Sequence, residues 1–323
     1  MFRQSVISIF KAVSEGNYKK TPDLNIVFRQ PFNSFGLAYT FSFNKSFFAP
    51  ITDCKIVIFN ADSKIVEALQ FEYSKPRTRP KIEIYAGYSD TKILNNSNVE
   101  INRLKSSINQ VYTGFPIFFS DDKLVGEREL SIDCTDISLV GSSERVSASF
   151  KENTLVTTIL EELLSDLEVD LSLLKSNTTF ANLKIEHEVF YNNRLLLEDV
   201  IPDLERQYGF THLTNYDGQL VFQNKSEKGQ PGNSLQNVIS PQNGMIEFPN
   251  TINWVDYECR TFFGRPDIFY PGERVTLKAS NLTTDVRGLI VNGEYNFNDR
   301  EAEIRYIINQ YGQPFNAYPI LRI

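Results

Sequence analysis

The sequence predicts a mainly β fold interrupted once by a small α+β insertion. Two observations carry this prediction. The 323 residues include 25 Phe and 15 Tyr beside one Trp, two His and two Met, an aromatic density that favours packing on sheets. Short apolar or alternating runs of period two, divided by Pro, Gly, Asn and Asp clusters, fill both ends of the chain, whereas residues 149–227 change to helical spacing. The boundaries so read are 1–20 for an N-terminal helix or arm, 21–148 for a first β-barrel domain, 149–227 for an acidic α+β middle domain, and 228–323 for a second β-barrel domain with a C-terminal extension.

Val6, Ile9, Phe10 and Val13 recur at i, i+3, i+4 and i+7, which predicts a short amphipathic helix ended by Gly16. Between Asn25 and Cys134 the runs NIVFRQ, LAYTFSF, CKIVIFN, KIEIYAGY, GFPIFF and ELSIDC read as six short strands of a sandwich or barrel. Ser89–Gln110, rich in Ser, Asn and Lys, reads as a long excursion between two of them. Asn153 is a good N-cap for a helix whose one face is Val156, Ile159, Leu160, Leu163, Leu164 and Leu167. Leu196, Leu197, Val200, Ile201, Leu204 and Tyr208 outline a second helix, kinked or restarted by Pro202 and ended by Gly209. FTHLT and QLVFQN then flank the hairpin turn Asp217-Gly218, and residues 225–234, KSEKGQPGNS, form a linker.

Beyond the linker the alternation returns in MIEFP, INWVDYECRTFF, ERVTLKAS, GLIVNGEYNF and EAEIRYII, with Pro271-Gly272 at a turn. The last halves of the two β units can be laid side by side. Lys81–Tyr88 then falls on Glu273–Ala279 and Glu129–Cys134 on Glu301–Ile308, with a Gly-led strand between them in both copies.

Net charge is −7 but uneven: residues 1–148 carry +2, 149–227 carry −8 and 228–323 carry −1. No Lys/Arg cluster suited to phosphates is present, so sequence-specific nucleic-acid binding is not predicted, while a DNA conduit with a non-adhesive wall stays open. Cys54, Cys134 and Cys259 are odd in number, far apart and without a CxxC pair, which reads as three buried thiols from a reducing compartment. No run reaches about 18 apolar residues and Lys11 interrupts the N-terminal one, so neither a membrane span nor a signal peptide is predicted.

Catalytic chemistry has few candidates. In Glu186-His187-Glu188 a strand would put the imidazole on the face opposite both carboxylates, and solvated strand charge is the better reading. His212 reads as a hydrogen-bonded structural residue, Asp133 and Asp136 as a strand end with its Asx turn, and Asp121, Asp122 and Asp299 as turn residues. GxSxG, HExxH, P-loop and GxGxxG motifs are all missing. The prediction is a non-enzymatic chain with no catalytic, cofactor-binding or metal-binding residues.

One ordered set of segments spans nearly the whole chain. SFNKSFFAPITDCKIVIFNADSKIVEALQ (42–70) leads into KIEIYAGYSD (81–90), VYTGFPIFFSD (111–121) and RELSIDCTDIS (128–138). SFKENTLVTTILEELLSDLEVDL follows, then RLLLEDVIPDLERQYGFTHLTNYDGQLVFQNK, then NGMIEFPNTINWVDYECRTFFGRPDIFYPGERVTLKAS and GLIVNGEYNFNDREAEIRYII. From about residue 20 to 310 this order resembles the baseplate hub protein of contractile phage tails and related injection machines. Pro202 and the 89–110 excursion depart from that family's pattern.

The resemblance implies two tube-like β-barrels flanking the small helical and hairpin middle region, and a homotrimer whose six barrels form a ring. Such a ring adapts a sixfold tail tube to a threefold spike. The implied partners are the chain itself, the tail tube protein, a central spike protein and other baseplate proteins, with DNA passing through the lumen. The implied location is the virion tail baseplate, after assembly in the host cytoplasm. The chain stops at Ile323 without a β-helical tail, so a separate spike polypeptide is expected. Ring contacts are expected from the wall strands, at Ile82, Ile84, Leu130, Ile132, Val275, Leu277, Ile304 and Tyr306. The alternatives are a hub or distal tail protein of a non-contractile tail or injection system and, from a different class, a tail-associated cell-wall hydrolase or glycan-binding protein. The last two need paired carboxylates in a groove or an exposed aromatic platform.

Overall fold

The structure is a computed structural model that describes residues 2–14, 17–29, 38–46, 52–72, 75, 78–92, 97–124, 127–136, 144–165, 167, 169–215, 219–224, 237–253, 255–262, 269–298 and 302–310. The turn at Asp217-Gly218, the linker 225–234 and Asp299 lie outside these residues. The N-terminal part contains β1 (Phe2–Phe10), a minor pair β2 (Ala12–Ser14) and β3 (Asn17–Tyr18), then β4 (Leu24–Arg29), β5 (Tyr39–Ser46) and β6 (Asp53–Phe59). It continues with β7 (Lys81–Ser89), β8 (Asn109–Leu124) and β9 (Glu127–Thr135).

The N-terminal helix expected from Val6, Ile9, Phe10 and Val13 is instead strand β1, paired on one side with β4 and on the other with β7. Its misleading period has a physical cause. Ile7 and Ile9 enter the main core, Val6 packs on the opposite face with Val27, Ile101 and Leu104, and Arg3 through Phe10 are all buried. A strand covered on both faces loses its alternation and can match a helical template. What covers the second face is the helix Asn98–Lys105, which lies within the 89–110 excursion. Ser97 caps that helix, with Glu100 in its first turn and Arg103 and Lys105 in its last, as the helix dipole favours. Asp121 and Asp122, expected in a turn, lie within β8 opposite Leu130 and Glu129.

The middle part has its own core. β10 (Arg145–Phe150) pairs with β12 (Val189–Leu195), while β11 (Val169–Asp170), β14 (Leu220–Asn224) and β13 (Phe210–Thr214) form a small sheet. The helix Val156–Leu163 buries Val156, Ile159, Leu160 and Leu163, the face read from the sequence. Asn153 is not its cap: it sits at φ 67 in a preceding turn and Leu155 begins the helix. The second helix does restart. Leu196–Val200 is a π-helical turn, and Pro202 stands at the start of the helix Ile201–Tyr208, where its missing N–H leaves no bond unmade. Gly209 ends it in the left-handed region at φ 76.

The C-terminal part contains β15 (Val238–Ile239), β16 (Met245–Thr251), β17 (Asp256–Phe262), β18 (Arg274–Leu277), β19 (Val286–Phe297) and β20 (Ala302–Asn309). Its strands join those of the N-terminal part in one 13-stranded sheet, ordered β16-β17-β20-β19-β5-β6-β9-β8-β7-β1-β4 with β18 beside β19 and β15 beside β18. The fold is therefore mainly β with an α+β insertion. Among the described residues the strand path ends at β16 and β4, and no ladder closes either unit into a hydrogen-bonded barrel.

Inside this sheet the repeat read from the sequence has a topological counterpart. The N-terminal unit places its strands as β7-β8-β9-β6-β5 and the C-terminal unit as β18-β19-β20-β17-β16, the same order with every neighbour antiparallel. Setting Ile132 on Ile304 also sets Cys54 on Cys259, because Cys54 opposes the residue two past Ile132 and Cys259 the residue two past Ile304. Both isoleucines are fully buried in the core shared by the two units. Replacing Ile132 or Ile304 by Ala removes a packed side chain, and each change is expected to lower unfolding stability by about 2–5 kcal/mol. Urea denaturation of the two variants measures this; a loss under about 1 kcal/mol at either site would contradict the burial.

Candidate functional site

The possible acid–base residues are dispersed, and two of them, His212 and Asp136, are held in structural contacts. Glu186 and His187 lie exposed in a bend with Glu188 just after it, not in the strand expected for them. His212 is buried on β13, where its Nδ1 lies 2.7 Å from Glu205 Oε1 and its backbone N–H donates to the same oxygen at 2.7 Å. Its ring stacks on Phe222 at 5.5 Å. It thus ties the helix Ile201–Tyr208 to the small sheet, as a structural histidine should. Asp133 points out of β9 beside Lys55, and buried Asp136 accepts the backbone N–H of Thr52 at 2.9 Å. That bond ties two distant segments together and replaces the local Asx turn expected there. Among the described residues no group of three or more His, Cys, Asp and Glu could hold a metal ion, and no helix is long and apolar enough to cross a membrane.

The eight wall residues expected at a ring contact are placed differently. Ile82, Ile84, Leu130, Ile132, Val275, Leu277, Ile304 and Tyr306 are each at most 1% exposed within the single chain. Their strands β7, β9, β18 and β20 are paired on both sides. These side chains pack in the chain's own core and leave no exposed surface of their own, unlike the contact positions expected from the sequence. Open strand edges lie elsewhere in the sheet, on strands other than these four.

The seam between the two units is the antiparallel pairing of β5 with the second half of β19, from Phe41 opposite Phe297 to Ser46 opposite Asn292. Phe41 stacks on Phe297 with centroids 4.9 Å apart and rings 3° from parallel, and Phe43 stacks on Tyr295 at 4.4 Å. Such pairs are worth about 0.5–1.5 kcal/mol each beyond the area they bury. Buried hydroxyls anchor the same cluster: Tyr295 Oη donates to Phe269 O at 2.9 Å, and Tyr306 Oη accepts the Phe269 N–H at 3.1 Å. Tyr39 and Ser5 share a 2.6 Å hydroxyl contact. At the far end of β5 the buried Lys45 ammonium lies 5.1 Å over the Tyr270 ring and 3.5 Å from Thr214 O of the middle unit. The opposite face of the seam is polar, a groove of ≈ 500 Å³ whose lining includes Ser42, Asn44, Lys55, Asp133, Glu294 and Asn296.

The aromatic alternation in YTFSFN and GEYNF was the available sequence signal for this seam, but it does not say which strand meets which. Two edges have no described strand partner: the outer side of β16, and the outer side of Ile117–Asp122 in β8. Each presents a large exposed apolar side chain, Phe248 on β16 at 51% and Phe118 on β8 at 52%.

No protein-family model matches the chain, and no curated protein matches it. Solved structures do. A tail protein from Neisseria meningitidis MC58 aligns with TM-score 0.58 and 10% identity over 95% of this chain and 97% of that one. The 43 kDa tail protein of prophage MuSo2 from Shewanella oneidensis aligns with TM-score 0.58 and 9% identity over 95% and 99%. A component of the E. coli type VI secretion system, described as similar in structure to the T4 bacteriophage tail proteins gp27 and gp5, aligns with TM-score 0.54 and 11% identity over 87% and 76%. The chain shares the fold of these proteins over most of its length.

The seam also makes a pH prediction. Burial holds the Tyr39, Tyr112, Tyr295 and Tyr306 phenols well above their ordinary value of 10.0, and pushes the Cys259 thiol from 9.0 up to about 12. The folded pKa values are raised, so this stabilisation is complete below the unfolded values and declines as pH rises through and beyond them. Thermal melting is expected to be flat between about pH 7 and 8.5 and to fall steadily above about pH 9.5. Melting temperatures unchanged up to about pH 11 would contradict the burial of these groups.

Proposed function

We propose that this chain is a non-enzymatic structural protein of a phage tail or tail-like injection machine, serving as the hub between tube and spike. One observation carries the reading: each chain holds two copies of the same five-strand unit, fused edge to edge through β5 and β19. A chain with an internal twofold repeat doubles the apparent symmetry of its oligomer, so three copies present six similar units. Such an assembly matches a sixfold tube on one side and a threefold spike on the other. The fold likeness to tail proteins of about the same length supports the tail setting, and the likeness to a type VI secretion component supports the wider class of injection machines.

In this reading the partners are the chain itself, a tail tube protein, a spike and other baseplate components. The central opening passes DNA without base-specific contacts. Assembly takes place in the host cytoplasm and the product resides in the virion tail. The middle segment carries −8 and faces outward, since three such charges around a narrow channel would repel one another strongly.

The purified protein is expected to elute at the mass of three 37.1 kDa chains and to show rings of six similar units around an opening in electron micrographs. A dimer, or an assembly whose class averages lack threefold symmetry, would rule out the ring.

A further inference from the structure

The internal repeat says more than that a ring forms, because the seam inside the chain is a template for the seam between chains. Within the chain, the edge strand of the first unit, β5, lies on the second half of β19. The strand equivalent to β5 is β16, and the strand equivalent to β19 is β8, from the shared order of the two units. With Ile132 set on Ile304, Phe119 opposite Ile132 takes the place of Tyr295 opposite Ile304. Likewise Ser120 takes the place of Asn296, and Glu247 opposite Arg260 takes the place of Ser42 opposite Lys55.

Ser42 faces Asn296 across the internal seam. We infer that in the ring, β16 of one copy lies antiparallel on the outer edge of Ile117–Asp122 in β8 of the next copy, with Glu247 facing Ser120. The inference rests on the ring reading above and adds which surfaces close it.

Three independent features of the two edges fit this contact. Both lack a described strand partner, and an open edge is a template for another strand. Both carry an exposed phenylalanine, Phe248 and Phe118, whose burial against the neighbouring copy removes apolar surface from water. Two of the acids there have cations beside them, Asp121 a bidentate Arg128 at 2.6 Å and Glu247 an Arg260 at 3.5 Å, which lessens the like-charge repulsion between the edges.

The two seams are not identical. β16 has two irregularities of register against β17, and Pro249 has no N–H to give. Its carbonyl accepts from the Asn281 side chain at 2.8 Å. The seam between copies therefore has a shorter ladder than the internal one and depends more on its side chains. The contact is head to tail, so it closes only if the rotation between copies completes a ring.

The test uses the full-length chain with single cysteines, Ser120→Cys in one preparation and Glu247→Cys in another. Native Cys54, Cys134 and Cys259 are buried and do not compete. Under mild oxidation the mixture of the two variants is expected to give a covalent dimer that neither gives alone, and the double variant a ladder ending at trimer. Phe118→Asp, at an exposed position, is expected to melt with the wild type yet lose the trimer peak. Trimers that form without the mixed cross-link, or that survive Phe118→Asp unchanged, would overturn this seam and leave the ring standing. A wild-type chain that stays monomeric at all concentrations would overturn both.

Discussion

Everything in this fold depends on the pairing of β5 with β19. It joins segments some 250 residues apart, turns two sets of strands into one sheet of 13, and merges their interiors into one hydrophobic core. Without it each unit would expose an edge rich in Phe and Tyr, and edges of that kind recruit whatever strand is nearest. The aromatic residues along the seam fix its register as well as its strength. Moving β5 by one residue would turn Phe41 and Phe43 to the polar face and Ser42 into the core.

The middle unit stands apart from that sheet. It enters after β9 and leaves before β15, and none of its strands joins the 13-stranded sheet. Its leucine-rich helices and short strands make a second core. The buried Lys45 reaches across to Thr214, so the insertion is held where the seam ends. Hydrogen bonding completes the arrangement: the His212–Glu205 contact secures the insertion internally and the Asp136–Thr52 contact secures the mouth of β6.

Much of this was legible in the sequence. The period-two runs fell on strands, the helix of Val156, Ile159, Leu160 and Leu163 appeared as read, and Gly209 ended its helix in the left-handed region. The offset that laid Glu129–Cys134 on Glu301–Ile308 is the one at which the two units share their strand order. What failed did so where tertiary contact overrides local pattern. β1 is buried on both faces and therefore mimicked a helix, while the helix Asn98–Lys105 is too short and polar to announce itself. The wall residues offered as ring contacts were real apolar positions, but periodicity alone does not separate a chain's own core from its interfaces. Phe118 and Phe248 look in the sequence like any other strand phenylalanines, and only the paired edges of the sheet distinguish them.

The distance in sequence between the two sides of the seam also sets a schedule for synthesis. A ribosome that has released β5 must add about 240 more residues before β19 emerges, which at about 5–20 residues per second takes roughly 12–50 s. During that interval the nascent first unit can pair β6, β9, β8, β7, β1 and β4, while Phe41 and Phe43 wait beside an empty edge. The insertion between the units lengthens this delay, and the chain becomes safe from wrong partners only when its last strands arrive. Truncation near the C-terminus of such a protein would thus leave a folded but adhesive fragment rather than a shortened working part.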